Sequence, residues 1–413
     1  MPALVNQMCN KLWQIIIFTA LNTPFVRLPI FISVLILTVC ACQDNYEYTP
    51  VVVATHPAGE GFVASESCME CHSDIYKQHL ETAHYQTSSE ATSDAIGAFD
   101  LAESKLPIND SLIIQFERLD DLYVQKTYHR DTGKLVDSTT IDLVFGSGTK
   151  GKSYAHWQND SLYQLHASYL KAANSLIKSP GLVPRLGLQN NRVITERCLE
   201  CHSTYAQTQS VENTFDRSQL LLGIDCQRCH GPLEKHVSFH KNNPTSLEPK
   251  FVDQISGMSR QQQLDMCALC HSGPRKRALK DRFSYKIGDA LRESSTEDFF
   301  STAAHLDVHG NQVGLLMASK CFQNSENMTC TTCHDPHKNQ RNQTAYFDSK
   351  CLSCHDSMTA VMCAIPSEER DQESCVSCHM PKTVSKTMFA KNGINEDTVN
   401  VEVVSHYIKV YLK

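Results

Sequence analysis

The feature that most constrains this chain is a five-residue pattern, Cys-x-x-Cys-His, which occurs seven times. The chain has 413 residues, of which 19 are cysteine and 19 are histidine. At these frequencies roughly 0.04 copies would arise by chance. We number the copies motif 1 to motif 7 in chain order. Their cysteines are Cys68, Cys71, Cys198, Cys201, Cys226, Cys229, Cys267, Cys270, Cys330, Cys333, Cys351, Cys354, Cys375 and Cys378, and their histidines are His72, His202, His230, His271, His334, His355 and His379.

This pattern is typical of covalent attachment of c-type haem. Residues i, i+3 and i+4 share one face of a helical turn, so both thiols can reach the rim of a flat macrocycle while the imidazole points at its iron. A zinc finger would instead place its histidines roughly a dozen or more residues after the cysteine pair. A redox or structural disulfide would not need a histidine after every pair. The sequence therefore predicts seven haem c groups, each held by two thiols and one histidine.

The amino end predicts export. Residues 28–41 form an apolar run of 14 residues, whereas a membrane-spanning helix needs about 20, and this length is typical of a signal peptide. The segment 39–42 resembles a bacterial lipoprotein cleavage box, which would make Cys42 the lipidated first residue and a membrane anchor; an ordinary signal peptide or an uncleaved anchor are the alternatives. Attachment of c-type haem outside the bacterial cytoplasm agrees with export. We expect a signal peptide over 1–41, a tether over 42–62 and a haem domain over 63–413, in a periplasmic or outer-membrane lipoprotein.

Composition and charge narrow the choice of partners. Hydrophobic residues make up 41% and charged residues 20% of the chain, which is typical of a globular protein. The net charge is −7 and becomes more negative if the leader, which holds two basic and no acidic residues, is removed. Such a chain repels nucleic acid and favours positively charged faces on redox partner proteins. We therefore expect protein redox partners and no nucleic acid.

The motifs are distributed unevenly along the chain. Between motif 1 and motif 2 the alternating segments 111–117, 122–128 and 134–145 predict a small antiparallel β insert at about 110–170. The insert can serve either as a recognition platform or as packing for the first haem. Motifs 2 to 7 follow within residues 198–379, too short a segment for a large side-chain core, so the macrocycles should supply much of the buried apolar surface. This part should consist of short helices and loops and should fold poorly without haem.

Five segments resemble one family, the exported multihaem c-type cytochromes that are often fused to tetratricopeptide repeats. These are similar in turn to the tetrahaem electron carrier that serves hydroxylamine oxidoreductase. The segments are Ser67 to His84, Gly223 to His236, Ser319 to Phe322, Met328 to His337 and Cys378 to Lys382. The resemblance covers about residues 63–410 but includes no repeat domain. It implies electron transfer and a mainly α fold with little regular structure, organised around packed haems.

The second axial ligand of each iron bears on function, since two histidines favour low potential and a closed iron, whereas an empty position permits chemistry. His84, His236 and His337 match family positions, and each follows a motif histidine too closely to bind the far side of the same iron, so each would serve a neighbouring haem. Further candidates are His406, His166 and the pair His305 and His309, which are spaced to share a helix face. Surface positions and contacts to haem propionates are the alternatives. Methionines outside the motifs are more typical of packing.

Two functions remain open at this point. The first is an exported heptahaem electron carrier between membrane-linked donors and a terminal reductase or an extracellular acceptor. The second is a multihaem oxidoreductase of small nitrogen or sulfur species, which needs one open haem site and a small-molecule substrate. No Cys-x-x-Cys-Lys variant marks a special haem, so the carrier is favoured and no catalytic residue is assigned. Cys321 and Cys363 can form a disulfide in an oxidising compartment or remain separate thiols.

Overall fold

The structure is a computed structural model that describes residues 47–97, 104–180, 192–209, 211–273, 277–296, 306–355, 374–392 and 397–411. The chain divides into a unit at 1–49 and a unit at 50–413, and nearly all described residues belong to the second. The predicted signal peptide, the lipidation site Cys42, the candidate ligand His305 and the candidate disulfide partner Cys363 lie outside the described residues. Among the residues that are described, no helix is long and apolar enough to cross a membrane.

Eighteen strands occur in the described part of the chain. They are β1 Val52–Thr55, β2 Gly61–Val63, β3 Ser88–Glu90, β4 Lys105–Pro107, β5 Leu112–Leu119, β6 Leu122–His129, β7 Leu135–Ile141, β8 Leu143–Phe145, β9 Gly151–Gln158, β10 Ser161–Leu170, β11 Ser175–Lys178, β12 Arg192–Val193, β13 Ser203–Tyr205, β14 Leu221–Leu222, β15 Arg277–Ala278, β16 Ser295–Thr296, β17 Lys382–Asn392 and β18 Asp397–Val404.

The α-helices in the same ranges are short. They are α1 Met69–Leu80, α2 Ser93–Ile96, α3 Glu196–Leu199, α4 Cys226–His230, α5 Glu234–Asn242, α6 Arg260–His271, α7 Gln312–Met317, α8 Lys320–Gln323, α9 Thr344–Leu352 and α10 Cys375–His379. Helix α1 contains a kink at His72, whose φ and ψ of −116° and 38° are not helical. Most motif cysteines therefore lie on, or directly beside, one or two turns of helix.

Strands β4 to β11 form a two-layered β unit between motif 1 and motif 2. One layer is the antiparallel sheet β4-β5-β6-β7, and the other is a sheet of order β11-β10-β9-β8-β3, to which β3 and β12, the latter beside β10, are added from outside this range of strands. Apolar side chains from both layers meet between them, and the rings of Phe116 and Tyr154 pack edge to face with centres 4.9 Å apart. Both rings are completely buried. The unit thus has an apolar core made of its own side chains, as expected for packed antiparallel sheets.

The larger of the two sheets is apolar on both faces. Leu143, Ala155 and Leu162 point away from the core just described, into a second core that contains Leu199 of α3 and therefore joins motif 2 to the sheet. The β1–β2 hairpin also enters this second core through Ala54 and Phe62, which are 1% and 3% exposed. A tether was expected over 42–62. Within and beside that range, β1 and β2 pair as antiparallel strands, and Ala54 and all of β2 are buried.

The expectation of a mainly α fold is wrong. Helix accounts for 29% and strand for 30% of the structure, and strands occur well beyond the predicted insert. The longest pair, β17 and β18, follows motif 7 and packs Ala390 and Val401 against Leu170 and Ile177 of the β unit. The sequence of β18 explains this pairing, because Val399, Val401 and Val403 alternate along one face and β-branched residues favour strands.

The region of motifs 3 to 7 has small apolar clusters in place of one large core. One cluster joins Ala268 and Leu269 of α6 to Tyr285, Leu291 and Val313, and another joins Leu264 to Leu316 and Phe322. The helices of this region instead surround a large internal space, which is described next.

Candidate functional site

All seven motifs line one continuous cavity of about 5240 Å³. Every one of the 14 motif cysteines and seven motif histidines borders it. A pocket for a single small molecule or cofactor measures roughly 300–1,000 Å³, so this cavity has the volume for several macrocycles. The seven motifs therefore border one shared cavity and do not form seven separate sites.

Capped helical turns position several of the motifs. Helix α4, which is motif 3, begins after Asp225, whose side chain accepts a hydrogen bond from the Gln227 backbone N–H at 2.8 Å. Helix α10, which is motif 7, begins after Ser374 in the same way. Helix α6 begins with a capping box between Ser259 and Gln262 and ends with motif 4. Such caps satisfy free N–H groups at the start of a helix and fix the first turn.

Backbone carbonyls orient several imidazole rings at the cavity. The Nδ1–H groups of His230, His236 and His379 donate to the carbonyl oxygens of Asp253, Lys250 and Lys409, at 3.1, 2.8 and 2.9 Å. A histidine that donates from Nδ1 presents its other nitrogen, Nε2, as the lone-pair donor, which is the arrangement that metal-ligating histidines use. These three rings are therefore in the tautomer that an iron ligand requires.

Seven histidines outside the motifs also line the cavity, the same number as the motif histidines. They are His79, His84, His236, His240, His309, His337 and His406. Burial lowers the pKa of His406 to about 4, so this imidazole is neutral at neutral pH, as a metal ligand must be.

Ring spacings test whether these histidines fit haem iron. A metal–imidazole bond measures roughly 2.0–2.1 Å, and the ring centre lies about 1.2 Å behind the nitrogen, so two imidazoles on opposite sides of one metal have centres roughly 6.4 Å apart. Four pairs of a motif histidine and another histidine have comparable spacings. They are His72 with His236 at 6.5 Å, His230 with His337 at 6.2 Å, His271 with His84 at 6.1 Å and His334 with His406 at 5.9 Å. The residues present therefore fit a group with two axial histidines.

The remaining three motif histidines differ from these four. His202 of motif 2 is half-buried, its Nδ1 lies 3.0 Å from the Thr87 hydroxyl, and desolvation lowers its pKa, an effect to which the nearby His309 adds. Within the described ranges, neither His355 of motif 6 nor His379 of motif 7 contacts a second histidine ring. Motifs 6 and 7 are thus the two motifs whose histidine has no second histidine ring in contact among the described residues.

Cysteine contacts arrange the motifs in a series. The thiols of Cys68 and Cys226 lie close enough to interact, and so link motif 1 to motif 3; those of Cys267 and Cys330 likewise link motif 4 to motif 5. Cys351 and Cys375 join motif 6 to motif 7 in the same way.

Longer-range contacts close the gaps in this series. Cys229 lies near Cys270, which connects motif 3 to motif 4, and Cys333 lies near Cys354, which connects motif 5 to motif 6. The Cys270 thiol of motif 4 donates to the carbonyl oxygen of Glu200, a residue of motif 2, at 3.6 Å, so motif 2 contacts motif 4. The order in space is therefore 1-3-4-5-6-7 with motif 2 as a branch.

Only some of the predicted second ligands border the cavity. His84, His236, His309, His337 and His406 border the cavity. In contrast, His166 lies on β10 within the β unit and is not among the residues that line the cavity, and its Nε2 is buried without a hydrogen-bond partner among the described residues. The alternating residues around His166 predicted a strand, and this strand places the imidazole ring in the β unit, away from the motifs.

Two cavity histidines, His79 and His240, were not among the chosen candidates. His79 follows His72 by seven residues along α1, a spacing that keeps both rings on one helix side, and its Nε2 donates to the Ile224 carbonyl at 2.9 Å. His240 follows His236 by four residues on α5, with ring centres 4.6 Å apart, and its Nε2 is buried without a described partner. The helical spacing from a known or expected ligand is the sequence signal that would have found both.

Cys321 also borders the cavity, near the cysteines of motifs 5 and 6. The described residues include 15 cysteines, with no disulfide among them. In those same residues no three histidine, cysteine, aspartate or glutamate side chains are grouped as the ligands of a metal ion bound by protein alone.

Comparisons with known proteins agree with this chemistry. Residues 151–231, which include motifs 2 and 3, match the model of the family described as cytochrome c554 and c-prime. The multiheme cytochrome MtrA of Shewanella baltica is 24% identical over 198 residues, which are 45% of this chain and 53% of that protein. The undecaheme cytochrome from the S-layer of Carboxydothermus ferrireducens superimposes with a TM-score of 0.43 and 16% identity over 90% of this chain and 54% of its own. The chain spans about half the length of each of these two proteins. Together with the motifs, the family match and the MtrA similarity support a multihaem c-type cytochrome with covalently bound haem.

Proposed function

We propose that this chain is an exported heptahaem c-type cytochrome that transfers electrons between a membrane-linked donor and a terminal reductase or an extracellular acceptor. The observation that carries the proposal is the convergence of all seven motifs on one cavity in a contact series, with histidine pairs at axial spacing. Haem iron would supply reversible one-electron chemistry there. The similarity to the c554 family and to MtrA agrees with this role. A closer relation to the repeat-fused cytochromes and to the carrier of hydroxylamine oxidoreductase remains a prediction.

The chain's own residues would hold and tune these groups. The 14 motif cysteines would form the thioether bonds, and the seven motif histidines would be the first axial ligands. His236, His337, His84 and His406 would be the second ligands for motifs 1, 3, 4 and 5, and His309 for motif 2. His166 remains a prediction that no contact to the cavity supports, and His305, which lies outside the described residues, also remains a prediction. Carbonyl acceptors such as those of Lys250 and Asp253 would keep the rings in the required tautomer.

The proposal includes export and a lipid anchor at Cys42. Measurement of the mature protein's intact mass tests both the anchor and the haem count. We expect seven covalent haem additions on a chain that begins at a lipidated Cys42. A mass with fewer additions would contradict the count, and an unlipidated mature terminus would contradict the anchor without affecting the electron-transfer proposal.

One axial pair offers a sharper test. Replacing His236 with methionine should raise the reduction potential of the haem at motif 1, because a Met ligand raises the potential relative to His; we expect a shift on the order of 0.1 V. A redox titration followed by low-temperature EPR would show one of the low-spin bis-histidine signals replaced. The matched control is His56→Gln, a histidine that does not border the cavity. An unchanged titration in His236→Met would rule out His236 as a ligand.

A second function, a multihaem oxidoreductase of small nitrogen or sulfur species, is favoured by one observation. His355 and His379 contact no second histidine ring within the described residues, so an open axial position would belong to motif 6 or motif 7. EPR with and without nitrite, hydroxylamine or CO distinguishes the two functions. Uniform low-spin signals that no ligand alters would support the carrier, whereas a high-spin signal that responds to these ligands would support the oxidoreductase.

A further inference from the structure

A small groove lies beside the haem cavity, where the β unit meets the β17–β18 hairpin. Its volume is about 420 Å³, within the roughly 300–1,000 Å³ of a small-molecule pocket. The lining residues are Thr149, Lys150, Lys171, Ala172, Lys382, Val384, Asn400, Val401 and Glu402. Three of them, Thr149, Lys150 and Lys382, also line the haem cavity, so the groove opens next to it.

Positive charge is concentrated in this groove. Lys150, Lys171 and Lys382 line it, and Arg341 is close enough to Lys150 to act on its charge. All four side chains are exposed. Glu402 is the carboxylate that acts on Lys150 in the opposite sense. Three cations and one carboxylate are therefore found among the described residues that line the groove, with Arg341 near Lys150, on a chain whose net charge is −7.

The contacts of Lys150 orient its charge without neutralising it. Its ammonium donates a hydrogen bond to the backbone carbonyl of Glu402. Partial burial and, to a smaller extent, the charge of Lys382 lower the pKa of Lys150. The surroundings therefore destabilise the charged form of this side chain. A bound anion would offset this destabilisation because it interacts favourably with all the neighbouring cations. The three ammonium groups that line the groove can each donate hydrogen bonds to a ligand with several charged oxygens.

We propose that this groove binds a compact, multivalent oxyanion, such as a soluble polycarboxylate or phosphate compound. The proposal rests on the proposed electron-transfer function, which it deepens by naming a ligand class at one end of the motif series. Lys382 lies three residues after His379, so an anion in the groove is held beside motif 7, the last motif in the series. An anionic electron donor or acceptor would thereby be concentrated at that end, as clustered cations do for charged substrates.

Calorimetric titration of the matured holoprotein with citrate at low ionic strength tests the proposal. We expect citrate to bind and acetate, a monoanion, to bind far more weakly. Each of the variants Lys150→Gln, Lys171→Gln and Lys382→Gln should weaken citrate binding by roughly threefold, and the triple variant by more than about tenfold. Lys382→Arg should retain binding, because it keeps the charge. Lys134→Gln is the matched control, since Lys134 is an exposed lysine in the β6–β7 turn, outside the groove.

Three results would overturn the proposal. The first is a wild-type holoprotein that does not bind citrate, and the second is a triple variant with wild-type affinity. The third is binding of acetate that is as tight as binding of citrate, because this would show that the groove does not select a multivalent anion. The proposed function is tested separately by reduction and reoxidation of the holoprotein, which the lysine variants should leave intact. A holoprotein that binds citrate but cannot be cycled would contradict the electron-transfer function alone.

Discussion

The β unit at residues 104–180 and the motif region at residues 192–411 of this chain are stabilised in different ways. The β unit places fully buried side chains such as Phe116, Tyr154 and Leu165 between two sheets. The motif region distributes its apolar residues in small clusters around a cavity of about 5240 Å³. Since buried apolar area is the main source of stability, the first region can depend on its own side chains. The second needs the surface of the group that the cavity holds.

The largest expected effect is that of withholding haem. In a chain produced where haem is not attached, we expect the motif region to remain largely unfolded, because the macrocycles would supply its buried surface. The β unit should retain strand structure. Limited proteolysis with mass analysis would show protected fragments within 104–180 and rapid cleavage elsewhere. Equal protection of both regions would contradict the difference proposed here, and the matured holoprotein is the control.

A core substitution in the β unit should give the next largest effect. Phe116 is completely buried and packs against Tyr154, so Phe116→Ala should lower the free energy of unfolding of the unit by about 3–5 kcal/mol. Hydrogen exchange of the holoprotein would show faster exchange in β5, β6 and β9, while the haem absorption spectrum remains unchanged. The control Leu122→Ala, at a side chain that is 59% exposed, should change exchange little. An altered haem spectrum in Phe116→Ala would show that the two regions are coupled.

The pH dependence of the β unit should be the smallest of these effects. Burial lowers the pKa of His156 in β9, an effect that the carboxylate of Asp142 partly opposes. The unfolded chain therefore binds a proton near pH 6.5 that the folded unit does not, so the contribution of a neutral His156 is present above that pH and is lost as the pH falls. Between pH 7.5 and 5 the loss should be at most about 2 kcal/mol.

Hydrogen exchange in β9 and β10 at the two pH values would measure this loss. His166 lies nearby, and burial lowers its pKa as well, so the matched pair is His156→Gln and the double variant His156→Gln/His166→Gln. The single variant should reduce the pH dependence and the double variant should reduce it further. Exchange that is equally pH-dependent in all three proteins would show that these histidines do not cause it.

The sequence predictions succeeded where they depended on residues close together in the chain and failed where they depended on residues far apart. The motif cysteines and histidines act within one helical turn, and the structure places all of them on the cavity. The prediction of a mainly helical chain was wrong, because strand pairing such as that of β1 with β2 or β17 with β18 depends on partners that motif spacing does not reveal. Local alternation at Val399, Val401 and Val403 was visible in the sequence, but its partner strand was not.

The sequence alone determined the chemistry of attachment: seven repeats of two thiols and an imidazole specify what each turn can bind, because the spacing of a helical turn is fixed by covalent geometry and backbone hydrogen bonding. Only the tertiary structure decided which motifs are neighbours and which histidine faces which. His84 faces His271 across 187 positions of sequence, and His406 faces His334 across 72. Such pairs form because distant segments pack around a common space, and that packing depends on the whole chain.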